Sequence, residues 1–103
     1  MSIRVLSGLE GGKGHLSLDG RFDYGGHKEF RSAYEELLSQ SACKEIVIDM
    51  QKVEYVDSAA LGMLLLLRDR AKSAGKSIVI AGCHGVALQV LEVANFNKLF
   101  DMV

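Results

Sequence analysis

Residues 44–68 read KEIVIDMQKVEYVDSAALGMLLLLR, and the fold turns on this stretch. Ile46, Val47 and Ile48 form a short apolar run of the kind a buried parallel strand uses, and the run ends at Asp49. A polar connector follows. Asp57 and Ser58 then stand directly before a strongly apolar helix. At a helix start the first backbone N–H groups lack intrahelical partners, and the dipole favours added negative charge. Ser58 is therefore well placed to receive phosphate. No candidate base, metal ligand or second nucleophile stands beside it in the sequence.

Working outward, strand 45–49, helix 58–73 and strand 77–81 compose a βαβ unit, whose crossover is expected to be right-handed. Upstream, 3–6 and 15–18 read as two short strands joined by a glycine-rich connector, which predicts a hairpin. Over 28–38, Phe30, Ala33, Tyr34, Leu37 and Leu38 recur at helical spacing and give an amphipathic helix. A third helix over 85–94 is expected to bury Val86, Ala87, Val90, Leu91 and Ala94. Phe96, Leu99 and Phe100 should anchor a last short helix or strand. The fold class is α/β, a mixed sheet of four to five strands with three to four helices packed on it.

Asp49 and the run Asp57-Ser58-Ala59-Ala60-Leu61-Gly62, together with Leu18-Asp19-Gly20-Arg21-Phe22-Asp23 upstream, resemble the signature of STAS domains of the bacterial anti-sigma factor antagonist family. The likeness covers nearly the whole chain, so residues 1–103 are read as a single STAS-like domain. It departs from the usual pattern at Ala59 and Ala60, where Ser/Thr and Gly are more common, which leaves Ser58 the one hydroxyl of the motif. The resemblance implies that Ser58 is phosphorylated by a partner kinase. It also implies that only the unphosphorylated form binds that partner productively, and that Asp23 and Asp49 form an acidic rim near the site. Asp57, Ser58, Ala59, Ala60 and Met63 are expected to make the partner-docking patch. The implied partners are an anti-sigma factor with serine kinase activity, or a response regulator with a kinase or phosphatase module, and a PP2C-type phosphatase.

Composition fits a small regulatory domain. The chain has 103 residues, 49% hydrophobic, and a net charge of −1, so disorder and charge-driven nucleic-acid binding are not expected. The longest uninterrupted apolar run of the second helix, Met63 to Leu67, falls far short of the about 20 residues a membrane span requires. The N-terminal stretch has no signal-peptide pattern. Cys43 and Cys83 form no CxxC pair, which suggests reduced thiols and a cytoplasmic location. No metal or cofactor is expected, because none of His15, His27 and His84 has a second His or a Cys at helical spacing. The segment Gly8–Gly14 resembles a phosphate-binding loop only superficially, since no Ser or Thr follows Lys13 and a strand follows it.

Asp57 and Ser58 are both preferred N-cap residues, and they make different demands. With Asp57 as the cap, the Ser58 hydroxyl is free for a kinase. With Ser58 as the cap, its oxygen is already engaged. Phosphoserine would add about −1.5 to −2 charges. The helix start favours that charge by roughly 0.3–1 kcal/mol, and Asp57 opposes it by about 3 kcal/mol at most. The modification is thus expected to act on a complex, where a dianion must be desolvated, rather than on the fold. Two other function classes stand beside this switch. One is a non-signalling accessory subunit docked on a membrane transporter of the lipid-transport ABC type. The other, a small enzyme, is disfavoured because Ser58 has no His or Lys close by in the sequence to activate it.

Overall fold

The computed structural model describes residues 3–103. In it the chain runs β1 (Arg4–Glu10), β2 (Lys13–Phe22), α1 (His27–Leu38), β3 (Glu45–Val56), α2 (Ser58–Ser73), β4 (Ser77–Ala81), α3 (Gly85–Val93) and β5 (Asp101–Met102). Two 3-10 turns, Tyr24–Gly26 and Phe96–Lys98, precede α1 and β5. The five strands form one sheet in chain order, β1 antiparallel to β2 and every later neighbour parallel.

Each parallel step contains a helix and moves in the same direction across the sheet. Right-handed crossovers then set all three helices on one face. Burial follows that rule. Leu16, Leu18, Ile46, Ile48 and Ile80 are buried, while the alternate residues His15, Ser17, Val47, Asp49 and Val79 lie on the uncovered face. α1 contributes Phe30, Tyr34 and Leu37 to the core, and α2 contributes Ala60, Leu64, Leu67 and Ala71. Phe22, Phe30 and Tyr34 pack ring against ring, with centroids 5.0 and 5.4 Å apart.

The hairpin is tighter than expected. Gly11 and Gly12 alone connect β1 to β2, both at positive φ (58° and 83°), which glycine adopts without penalty. The strands are also longer. β2 runs through Gly20 to Phe22, with register shifts against β3 between Ser17 and Asp19 and between Gly20 and Arg21. The polar connector 50–56 is likewise the second half of β3, because Met50, Val53 and Val56 keep one side of the extended chain buried.

Burial on α2 and α3 is more selective than their apolar content. The core stripe of α2 is Leu64 and Leu67, whereas Leu65 is half-buried and Leu66 is 50% exposed. On α3, Ala87 and Leu91 are buried and Val90 and Ala94 partly so, but Val86 is 55% exposed. On each helix the residues turned away from the sheet stay in solvent. Phe96 and Phe100 anchor the C-terminal segment, stacked at 5.3 Å, while Leu99 remains exposed.

Candidate functional site

Strands β2 and β3 end side by side, and their ends build the site. Phe22 pairs with Val56, and the Asp57 N–H donates to the Phe22 carbonyl at 3.2 Å. Asp57 is the N-cap of α2, in extended conformation, and its Oδ1 accepts from the Ala60 N–H at 2.8 Å. Its Oδ2 faces the neighbouring loop and accepts from the Tyr24 N–H at 3.4 Å. One carboxylate therefore closes the first turn of α2 and ties it to the turn after β2.

Ser58 occupies the first helical position, exposed, with the capping bond supplied by Asp57. Helical spacing then sets Ser58, Gly62, Leu66, Asp69 and Ser73 along the solvent side of α2, all exposed. The far end of that helix is fixed by a Schellman closure. Gly75, at φ 72°, donates to Lys72 O, and Lys76 N–H donates to Ala71 O.

Asp23 joins the site from β2. It caps the 3-10 turn by accepting from the Gly25 N–H at 3.0 Å, and it lies 3.9 Å from the Arg21 guanidinium. Arg21 in turn covers the Tyr55 ring, 4.2 Å from its centroid. Tyr24, which no sequence motif marks, stands 64% exposed beside this cap. Its ring stacks on His27 at 4.4 Å, and His27 Nδ1 lies 2.8 Å from the Tyr24 carbonyl oxygen. The available signal was an aromatic residue in a glycine-bounded turn directly after an acidic cap.

Three expected contributors are placed differently. Asp49 lies in the middle of β3, paired with Ser17 and Ala81 on the face away from the helices. Eight residues of extended chain separate it from Asp57, roughly 20–25 Å, so it is no part of the rim around Ser58. Its carboxylate accepts from Gln51 N–H at 3.0 Å. Ala60 is fully buried because its side chain enters the core stripe of α2 one turn before Leu64. It therefore offers nothing to a partner. Ala59 and Met63 are half-buried on the flank toward α1. The more accessible apolar surface lies on the other flank, where Leu61, Val86, Val90, Val93 and Ala94 line an open groove of about 330 Å³ between α2 and α3. Leu61 sits one turn from Ser58.

Comparison with known proteins agrees with this architecture. Residues 6–103 match a family model described as "Mlab, STAS domain". A STAS-domain containing protein of Pseudomonas aeruginosa (strain UCBPP-PA14) is 39% identical over 102 residues, spanning 99% of both chains. Among solved structures, an anti-sigma factor antagonist from Mycobacterium paratuberculosis superposes with a TM-score of 0.81 at 21% identity, over 97% of this chain and 84% of that one. The anti-sigma factor antagonist SpoIIAA in its unphosphorylated form gives 0.75 at 14% identity, over 98% and 86%. Its phosphorylated form, from Bacillus, gives 0.72 at 12%, over 98% and 90%.

Proposed function

The chain belongs to the STAS domain family, and from that premise we propose that it is a phosphorylation-controlled protein–protein switch, an anti-sigma factor antagonist whose regulated residue is Ser58. The observation that carries this reading is the division of labour at the start of α2. Asp57 makes the capping bond, and Ser58, next in sequence, is left exposed at the helix mouth. A serine needed only as a cap would have its oxygen turned to the helix N–H groups.

In this reading the chain is a ligand and a substrate, not an enzyme. The unphosphorylated form binds a kinase-type anti-sigma factor or a related response regulator, and the bound kinase transfers phosphate to Ser58. A PP2C-type phosphatase reverses the step. The docking surface comprises Ser58, Asp57, Asp23 and Tyr24, with Met63 and Ala59 on one side and the Leu61 groove on the other. A phosphate at Ser58 adds about −1.5 to −2 charges beside the Asp57 carboxylate. Excluding water from that pair at an interface costs several kcal/mol, enough for a hundredfold or greater loss of affinity.

The test is intact-mass and site-mapping spectrometry on protein isolated from its native cells, beside a Ser58→Ala variant, with the co-purifying protein retained. One phosphate that maps to Ser58 and disappears in the variant is expected, together with a kinase or response-regulator partner. Ser58→Ala should bind that partner constitutively and Ser58→Asp poorly. An unmodified Ser58 with a transporter ATPase as the main partner would replace the switch by a docking subunit on a membrane transporter.

A further inference from the structure

β1 is an outer strand of the sheet and pairs with β2 alone among the described residues. Natural edges are usually protected by brevity, bulges, lysine or proline. The opposite edge, β5, is only two residues long. β1 has seven, RVLSGLE, without lysine or proline, and the register shifts of the sheet fall between β2 and β3 instead.

The turn fixes which backbone groups face outward. In a two-residue type I′ hairpin the flanking residues, here Glu10 and Lys13, exchange both of their hydrogen bonds. Such pairs then recur at Gly8–His15, Leu6–Ser17 and Arg4–Asp19. The N–H and C=O groups of Val5, Ser7 and Leu9 consequently point away from β2, along the free edge.

We infer that this edge pairs with β1 of a second copy of the chain, antiparallel, about a two-fold axis at Ser7. In that register Ser7 meets Ser7, and Val5 meets Leu9 on the helix-covered face. Each of these pairs exchanges two hydrogen bonds. On the uncovered face Arg4 meets Glu10 at both ends, and the 66%-exposed Leu6 lies opposite Gly8, beside which a Cβ would find open space. A shifted register breaks both ion pairs. The segment is self-complementary, as an isologous interface requires.

The helix layer obeys the same axis. An open groove of about 430 Å³ runs between β1 and α1, lined by Val5, Ser7, Lys28, Ser32 and Glu36 among others. α1 runs alongside β1, its start against Ile3 through Gly26 and its end against Gly14, the register partner of Leu9, through Leu37. Near its midpoint, Ser32 lines the same groove as Ser7. Two α1 helices approach across the axis antiparallel, with Lys28 toward Glu36 of the copy. α2 packs on α1, β3 and β4, away from this edge, so the pair displays two Ser58 sites.

Sedimentation equilibrium of the full chain over a wide concentration range tests the pairing, with an expected rise from 11.2 kDa to twice that mass. Ser7→Pro removes an N–H that points away from β2, so far-UV circular dichroism should hold while the association midpoint moves up at least tenfold. Ser7→Cys, in a Cys83→Ser background, should form a covalent dimer, because narrow pairs set Cα atoms about 5.5 Å apart. Leu6→Cys should not, since its copies lie on a diagonal of about 7–8 Å. A chain that stays at the monomer mass, with the amides of Val5, Ser7 and Leu9 exchanging freely, overturns self-pairing and leaves the edge to another protein's strand. A dimer indifferent to Ser7→Pro, or cross-linked equally by Leu6→Cys, overturns it in favour of another face.

Discussion

Asp57 accepts from Ala60 N–H in its own helix and from Tyr24 N–H in the neighbouring loop, so it serves two elements with one carboxylate. Asp57→Ala should cost about 0.5–2 kcal/mol, toward the upper end because a second bond is lost with the cap. The shift of a urea midpoint measures it. Ser58→Ala should leave that midpoint within about 0.5 kcal/mol, since an exposed hydroxyl outside the cap contributes little. Gly26 shows a different constraint. It is buried, and a Cβ there would collide with Cγ2 of Ile3. The turn that presents Tyr24 is therefore closed to larger residues, a demand of tertiary packing that a Gly-Gly pair in sequence does not reveal.

Among the elements, α2 carries both the core and the candidate site on different sides. Leu64→Ala should cost about 2–5 kcal/mol through the cavity it leaves, while Leu66→Ala should lie within about 0.5 kcal/mol. Thermal unfolding of the two variants compares them directly. α1 and α2 are joined by Arg70, whose guanidinium donates to both Glu35 carboxylate oxygens at 3.0 and 2.5 Å. That hydrogen-bonded partner holds the Glu35 carboxyl below its usual range. A depressed carboxylate contributes stability above its unfolded pKa and loses it as pH falls through the folded value. Glu35→Gln should therefore be less stable than the parent near neutral pH, and the difference should vanish in acid and shrink in high salt, as urea melts at each condition will show. The bounds of α2 and β4 were legible because Asp57-Ser58 and Ala74-Gly75 mark the helix ends and apolar runs fill what lies between. The second half of β3 was not. Gln51, Lys52 and Glu54 look like a loop in one dimension, and only the neighbouring end of β2 makes them a strand. That same error drew Asp49 toward Ser58. Tyr24 was missed because its importance comes from Asp57, 33 residues away.

At the scale of the molecule, a phosphate on Ser58 would enter an exposed site outside the core. The helix dipole favours it, Asp57 opposes it, and solvent screens both. Phosphorylated and unphosphorylated protein should melt within a few degrees of one another in calorimetry, and a large drop would place the effect in the fold rather than in the complex. The order of strands bears on how the chain comes to be folded at all. Because position in the sheet repeats position in the sequence, β1 through β5, a chain emerging from the ribosome can add each strand to one already in place. No strand has to wait for a later one to fill a gap between neighbours. Synthesis can extend the sheet in one direction from β1, each new edge covered by the next strand to emerge, and the two-residue β5 leaves little edge on that side.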